Sequence, residues 1–388
     1  YKDTIEAVLQ TTRIEKCTFP FVANLVDYNK NMDRFPTMRK WAYLFAAAGN
    51  NDIAEGNTNK AIEKYLTVIR LGQHECQQPA YVDKLVGMAC EGLGLGGINN
   101  LIVLGDANEL YLGKLEQAVA EIKHDWSSDL TEYISLEKIV LKNTFGDFMY
   151  QVNSKGEVRL SRNPMETVIK QSKEMLDNNS IDDPETIEGM KKMIHPSVWQ
   201  KMLIKLQTIF VWFYAPSSPK ILSDLIDISF EKHYEMTKPD FDWSKIPPED
   251  PYESLIQLMY FGLNIKKQIS FFAKANESLY FNSHDIYLRK SSNQRGTLLL
   301  ISMRRYKNAN SRWPEKLDDV NNLAPIEVFV DPMNNSSFVY KRTDDSFTLY
   351  SKGKNGIDEG GKQDSDNEDE CMLDDIVFWP PKWLLNDN

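Results

Sequence analysis

Histidine and cysteine are scarce in this chain of 388 residues: five of the first and four of the second. No two histidines stand at a metal-ligand spacing and His-Glu-x-x-His is absent, which removes the zincin class. Cys17, Cys76, Cys90 and Cys371 form no Cys-x-x-Cys pair, so a zinc ribbon or a thioredoxin-like motif is not encoded. His233-Tyr234-Glu235 has the His-x-Glu of a zinc deaminase but lacks its Pro-Cys-x-x-Cys partner. A Gly-x-Ser-x-Gly elbow and a Walker A loop are also missing. Basic residues are in deficit, 45 Lys and Arg against 56 Asp and Glu, giving a net charge of −11. Phosphate recognition needs clustered cations, so nucleic acid is not an expected partner. No apolar run reaches the ~20 residues that span a bilayer. The nearest, Ile209 to Tyr214, is short, follows Lys201 and Lys205, and reads as a buried helix end. The first residue is Tyr rather than Met, so an upstream signal peptide or membrane anchor fits the reading.

What is present suits a globular body. Hydrophobic residues make up 42% of the chain, enough apolar surface to support a core. The length exceeds one typical domain. Helical periodicity dominates residues 1–290, with Pro79 at the first turn of one helix and Asp106 as the cap of another. Gly56 to Tyr65 resembles half of a tetratricopeptide unit. It does not recur, so an ordinary helix hairpin is expected. Gly92-Leu93-Gly94-Leu95-Gly96-Gly97 matches Gly-x-Gly-x-x-Gly in letters only, because helix rather than strand precedes it. Close helix packing is the expected use of those glycines. Phe148 to Leu160 switches to strand periodicity around Asn153-Ser154-Lys155-Gly156, a hairpin signal. Further helices are expected at Pro164–Met175, Ile187–Met193, Pro196–Tyr214, Ile221–Met236 and Ser254–Leu279, with a proline-stiffened linker at Lys238–Pro251. Past Gln294 a different unit is expected: a helix from Gly296 to Tyr306, a strand from Ile326 to Val330, then strands at Ser337–Lys341, Phe347–Tyr350 and Val377–Trp379.

Cys90 should lie about three turns into the helix that Pro79 starts, ~16 Å from the turn, so Cys76 and Cys90 are expected as thiols. His124-Asp125 and His284-Asp285 read as surface or capping pairs, since adjacent residues do not face each other. Between Asp358 and Asp375 there are nine acids opposed only by Lys362. Such crowding needs solvent or a cation, and hard oxygen ligands suit Ca²⁺. Asp364-Ser365-Asp366-Asn367-Glu368 opens like an EF-hand loop, but Asp369 stands where glycine is required.

Trp313-Pro314-x-x-Leu317, Asp331-Pro332, Phe347-Thr348-Leu349-Tyr350-Ser351-x-Gly353-x-Asn355-Gly356, Gly360-Gly361 and Asp374-Asp375-Ile376 together resemble the C-terminal part of type II secretion major pseudopilins. The resemblance covers about a quarter of the chain. The family's hydrophobic N-terminal helix has no counterpart here. In that family the loop holds calcium through an aspartate of Ala-Asp-Gly and the aspartate of Asp-Ile. The implied ligand set is Asp375, with Asn355 where the first aspartate stands, Asp358 as its substitute, and Asp374 beside Asp375.

The expected fold is α+β, a mainly helical body over 1–290 with an inserted hairpin, and a small pseudopilin-like helix-plus-antiparallel-sheet unit over 291–388. The same helix-plus-loop arrangement behind a helical region is similar to families of bacterial extracytoplasmic proteins. That resemblance implies an extracytoplasmic bacterial binding or assembly protein, periplasmic or in the cell envelope, whose C-terminal loop is stabilised by Ca²⁺. Its partner would be a protein or envelope component. Two alternatives belong to other classes: a hydrolase-like enzyme with its site in a cleft of the helical body, and a pilin-like surface fibre subunit.

Overall fold

A computed structural model describes residues 2–19, 34–161, 216–243, 265–361 and 375–381, with 170, 173, 176, 191 and 384. The expected helices at 164–175, 187–193 and 196–214, most of the proline-rich linker, and the acids from 364 to 374 lie outside the described residues, Asp374 included. The rest is α+β and mainly helical, as expected.

In chain order the helices are α1 (Lys2–Thr11), α2 (Arg34–Ala54), α3 (Thr58–Cys76), α4 (Tyr81–Leu104), α5 (Glu109–Ala120), α6 (Trp126–Met149), α7 (Pro219–Phe230) and α8 (Ile265–Asn310). The strands are β1 (Tyr150–Val152), β2 (Val158–Leu160), β3 (Val339–Arg342), β4 (Phe347–Ser351) and β5 (Ile376–Trp379).

Two compact units emerge, and their border is not the one expected at 290/291. The first joins Tyr1–Thr18, Phe35–Asp125 and Ser283–Asn388; the second joins Phe19–Arg34 and Trp126–Asn282. The physical reason is a shared core. Ile62, Ile69, Ile98 and Leu112 of α3, α4 and α5 belong to the same buried cluster as Leu299 and Met303 of α8, and as Phe347, Leu349 and Trp379 of the sheet. A C-terminal piece that buries its apolar face against N-terminal helices is not a separate domain.

Within the first unit, α2 and α3 form the expected hairpin. Gly56 makes its turn at φ 74°, in the left-handed region that suits glycine. Helix α4 lies close along α3 because glycines face it. A Cβ at Gly94 would sit 2.7 Å from Ile69, and one at Gly97 would sit 2.4 Å from Tyr65. The Gly-x-Gly-x-x-Gly letters are therefore packing residues on a helix, as expected. Helix α4 is also, among the described residues, the one helix long and apolar enough to cross a membrane by length and composition. Most of its apolar window is buried within the unit, 61%. Helix α5 is capped by Asn108, whose Oδ1 accepts from the Tyr111 amide at 3.0 Å, rather than by Asp106.

Helix α8 absorbs the helix expected at Gly296–Tyr306 and runs well upstream of it. The expected helices ended at Leu279 and resumed at Gly296, with the polar stretch between them unassigned. It stays helical because its polar groups find tertiary partners: Ser292 donates to Asp331 at 2.9 Å, and Asp285 accepts from Lys354 at 2.6 Å. Ser311, at φ 58°, ends the helix with its amide bonded to Lys307 O. The strand expected at Ile326–Val330 is instead a 3₁₀ turn, Ile326–Phe329, followed by a single bridge from Val330 to Ser337. Pro325 sets up that turn, with its carbonyl accepting from Val328. Strands β3, β4 and β5 pair antiparallel in that order, with a register shift at Leu349/Tyr350.

In the second unit, β1 and β2 pair antiparallel around the turn expected there. Asn153 Oδ1 accepts from the amides of Lys155 and Glu157, and Gly156 has φ 79°. Helix α6 packs with α7 through Lys138 and Lys142, which both pair with Asp227 at 2.7 Å. His233 is buried against Phe230 and Tyr280.

Candidate functional site

Two places in the first unit gather chemistry. One is the loop between β4 and β5. The other is the seam between α3 and α4.

The loop turns through Gly353, Gly356, Gly360 and Gly361, all at φ between 60° and 81°. No side chain with a Cβ adopts that backbone readily. Asp331 supports the loop from beneath. Fully buried, it accepts from Ser292 Oγ at 2.9 Å, the Met333 amide at 3.0 Å, Asn334 Nδ2 at 3.0 Å and Ser351 Oγ. Asn334 also donates to Gly353 O at 2.7 Å, tying this hub to the loop's first glycine. The sequence signals the hub only as Asp-Pro.

The expected ligands occupy that loop in different states. Asp375 is buried at the entry to β5. Its Oδ2 accepts from the amides of Gly361 at 2.7 Å and Glu359 at 3.1 Å. Its Oδ1 is buried and has no hydrogen-bond partner among the described residues. Burial pushes the Asp375 carboxyl above its usual range, and the charges of Glu359 and Asp358 add to the rise. Asp358 is engaged: it accepts from Tyr350 Oη at 2.5 Å, from the Gly360 amide at 3.0 Å and from Lys341 Nζ at 3.3 Å. The Tyr350 hydroxyl holds its carboxyl below the usual range. Asn355 Oδ1 accepts from the Ile357 amide at 2.8 Å, and its Nδ2 donates to Glu359 at 3.2 Å. Glu359, left out of the expected ligand set, thus touches both Asn355 and Asp375. A buried carboxylate oxygen with no donor among the described residues, under the charges of Glu359 and Asp358, fits a hard cation.

Beside this lies a cleft of about 380 Å³ whose lining includes Asn50, Gly96, Asn99, Asn293 and Phe378. Its floor is the outer face of α4, where a Cβ at Gly96 would meet nothing. Phe378 comes from β5, three residues after Asp375.

The helix seam differs in kind. Among the described residues, the one group of three metal-ligating side chains whose donor atoms converge is Cys76, Glu91 and His124, all within 4.8 Å. His124 Nε2 and Glu91 Oε2 are 2.8 Å apart, and both side chains are almost fully buried. The His124 side chain is therefore not at the surface, although Asp125, just before α6, is exposed as expected. The His284-Asp285 pair is not at the surface: Asp285 is buried, and burial pushes the His284 imidazole down to about 4. Tyr287 donates its hydroxyl to His124 O. Cys76 and Cys90 are thiols, as expected, although helix length is not what separates them. Helix α4 folds back along α3, so Gly87 abuts Cys76 Sγ, and a Cβ there would sit 2.5 Å away. The two thiols stay apart because Cys90 faces a different cluster, with Phe45, Val68 and Leu71.

No protein-family description matches this chain, and neither a curated protein nor a solved structure matches it.

Proposed function

We propose that the chain is an extracytoplasmic binding or assembly protein whose C-terminal loop is ordered by Ca²⁺. The observation that carries the reading is the buried Oδ1 of Asp375, which has no partner among the described residues. Asp375 would hold the ion, with Asn355 and Asp358 from the glycine-rich turns before it and Asp374 adjacent in the chain. Bound calcium supplies the positive charge that the crowded carboxylates lack. It would also fix the start of β5, and through β5 the Phe378 wall of the cleft, linking the ion to a ligand. Side-chain amides and an aromatic ring line that cleft, which suits a polar, uncharged partner. With Asn355 in place of a charged ligand the site should be weak, in the range typical of extracellular modules, ~10⁻⁴–10⁻³ M. Such a site fills only where calcium is millimolar, which agrees with the compartment that the pseudopilin resemblance implies.

A cation that binds the folded loop and not the unfolded chain raises stability by mass action. The test is thermal unfolding of the full chain in calcium and in chelator. The expected result is a midpoint that rises over millimolar calcium in the native chain and stays flat in Asp375→Asn. An unchanged midpoint in the native chain would remove the stabilising role.

A further inference from the structure

We propose that Cys76, Glu91 and His124 bind a borderline-soft divalent cation of the Zn²⁺ class, at a site independent of the calcium loop. The donor set comes first. One sulfur, one imidazole nitrogen and one carboxylate oxygen converge within 4.8 Å. Thiolate and imidazole select Zn²⁺ and its neighbours over Ca²⁺ and Mg²⁺, which prefer oxygen alone. A thiolate and a carboxylate also balance the two charges of the ion while His124 binds as neutral imidazole.

The second observation is an unfilled valence. The Glu91 side chain is 2% exposed, yet its Oε1 has no hydrogen-bond partner among the described residues. A buried carboxylate oxygen with no donor costs free energy unless something neutralises it. The third is space made for the donors. A Cβ at Gly72 would sit 2.7 Å from Glu91 Cγ, and one at Gly87 would sit 2.5 Å from Cys76 Sγ. Both glycines let the two helices close until sulfur and carboxylate meet. The Tyr287 bond to His124 O anchors the residue that carries the third donor. Three protein ligands leave one position of a tetrahedral ion open, the pattern of zinc sites that accept water or a substrate group. Cys76 is only half-buried, so that position has an approach.

A rival use of Glu91 must be separated from this one. Lys290 is buried near Gly92, its Nζ has no hydrogen-bond partner among the described residues, and Glu91 is the strongest charge acting on it. As a simple counter-ion for Lys290, Glu91 would need neither Cys76 nor His124.

The probe is Co²⁺, titrated into the reduced, metal-stripped full chain and followed by absorption. One equivalent should bind and give a thiolate-to-cobalt charge-transfer band in the near ultraviolet. Cys76→Ser should abolish that band, Cys90→Ser should keep it, and His124→Gln and Glu91→Gln should each weaken binding by roughly tenfold or more. A folded native chain with no thiolate band, or a band unchanged in Cys76→Ser, overturns the proposal and leaves Glu91 as the counter-ion. Alkylation of the native chain needs no variant. Zn²⁺ should shield Cys76 from iodoacetamide and leave Cys17 reactive, as resolved by peptide mass spectrometry. Equal rates at Cys76 with and without Zn²⁺ also overturn it.

Discussion

The loop before β5 and the seam between α3 and α4 are opposites in how they gather charge. The loop's acids are neighbours in sequence, and most of its described ones are satisfied locally by amides, Tyr350 and Lys341. The seam's donors come from residues 76, 91 and 124, on two helices and the segment after α5. Density of one residue type along the chain is therefore a poor guide to a converged site. Convergence depends on which faces the packing brings together, and here glycines decide it.

Substitutions can pull the two regions apart. The largest effect is expected at Asp331→Ala, which strips a charged acceptor from two hydroxyls, an amide and the Asn334 side chain. Denaturant unfolding should show a loss of ~3–5 kcal/mol. The calcium response should vanish, while any variant that remains folded keeps its cobalt band. Gly87→Ala reverses the pattern. Its Cβ would lie 2.5 Å from the Gly72 carbonyl oxygen, so the helices must separate. The expected cost is ~1–3 kcal/mol, with weakened cobalt binding and an intact calcium response.

The pH dependence bears on α8, which feeds both regions. Folding lowers the His284 pKa from 6.5 to about 4, so the unfolded chain binds the proton more readily. Stability is then full above about 6.5 and is lost as pH falls from there toward about 4. His284→Gln should flatten that window in denaturant titrations at stepped pH. The smallest effect belongs to Lys341→Ala. Its pair with Asp358 is about half exposed on both sides, so stability should change by only ~0–1 kcal/mol. Calcium affinity should nevertheless rise, because Asp358 loses a competing cation.

Much of the fold was legible. Helical period, the Asn153–Gly156 turn and the alternation in β3, β4 and β5 all sit in local residue order. The shared core was not, because apolar residues at Ile98 and Trp379 carry no label saying that they join one cluster. The polar segment of α8 misled for a related reason. Ser292 and Asp285 look like loop residues until Asp331 and Lys354 are placed against them. At the candidate sites, Asp375 could be named from its motif, whereas its unpartnered oxygen is a property of packing. Cys76, Glu91 and His124 had no spacing that would unite them. In retrospect Gly72 and Gly87, flanking the helix connection, were the available signal for close approach.

Whether Asp375 anchors calcium is the sharpest division between the two regions. Calorimetric titration of Ca²⁺ into the full chain, its Asp375→Asn variant and its Cys76→Ser variant isolates that point. The expected result is one calcium per chain in the native protein and in Cys76→Ser, and none in Asp375→Asn. Equal binding by Asp375→Asn, or no binding by the native chain at millimolar calcium, would contradict it.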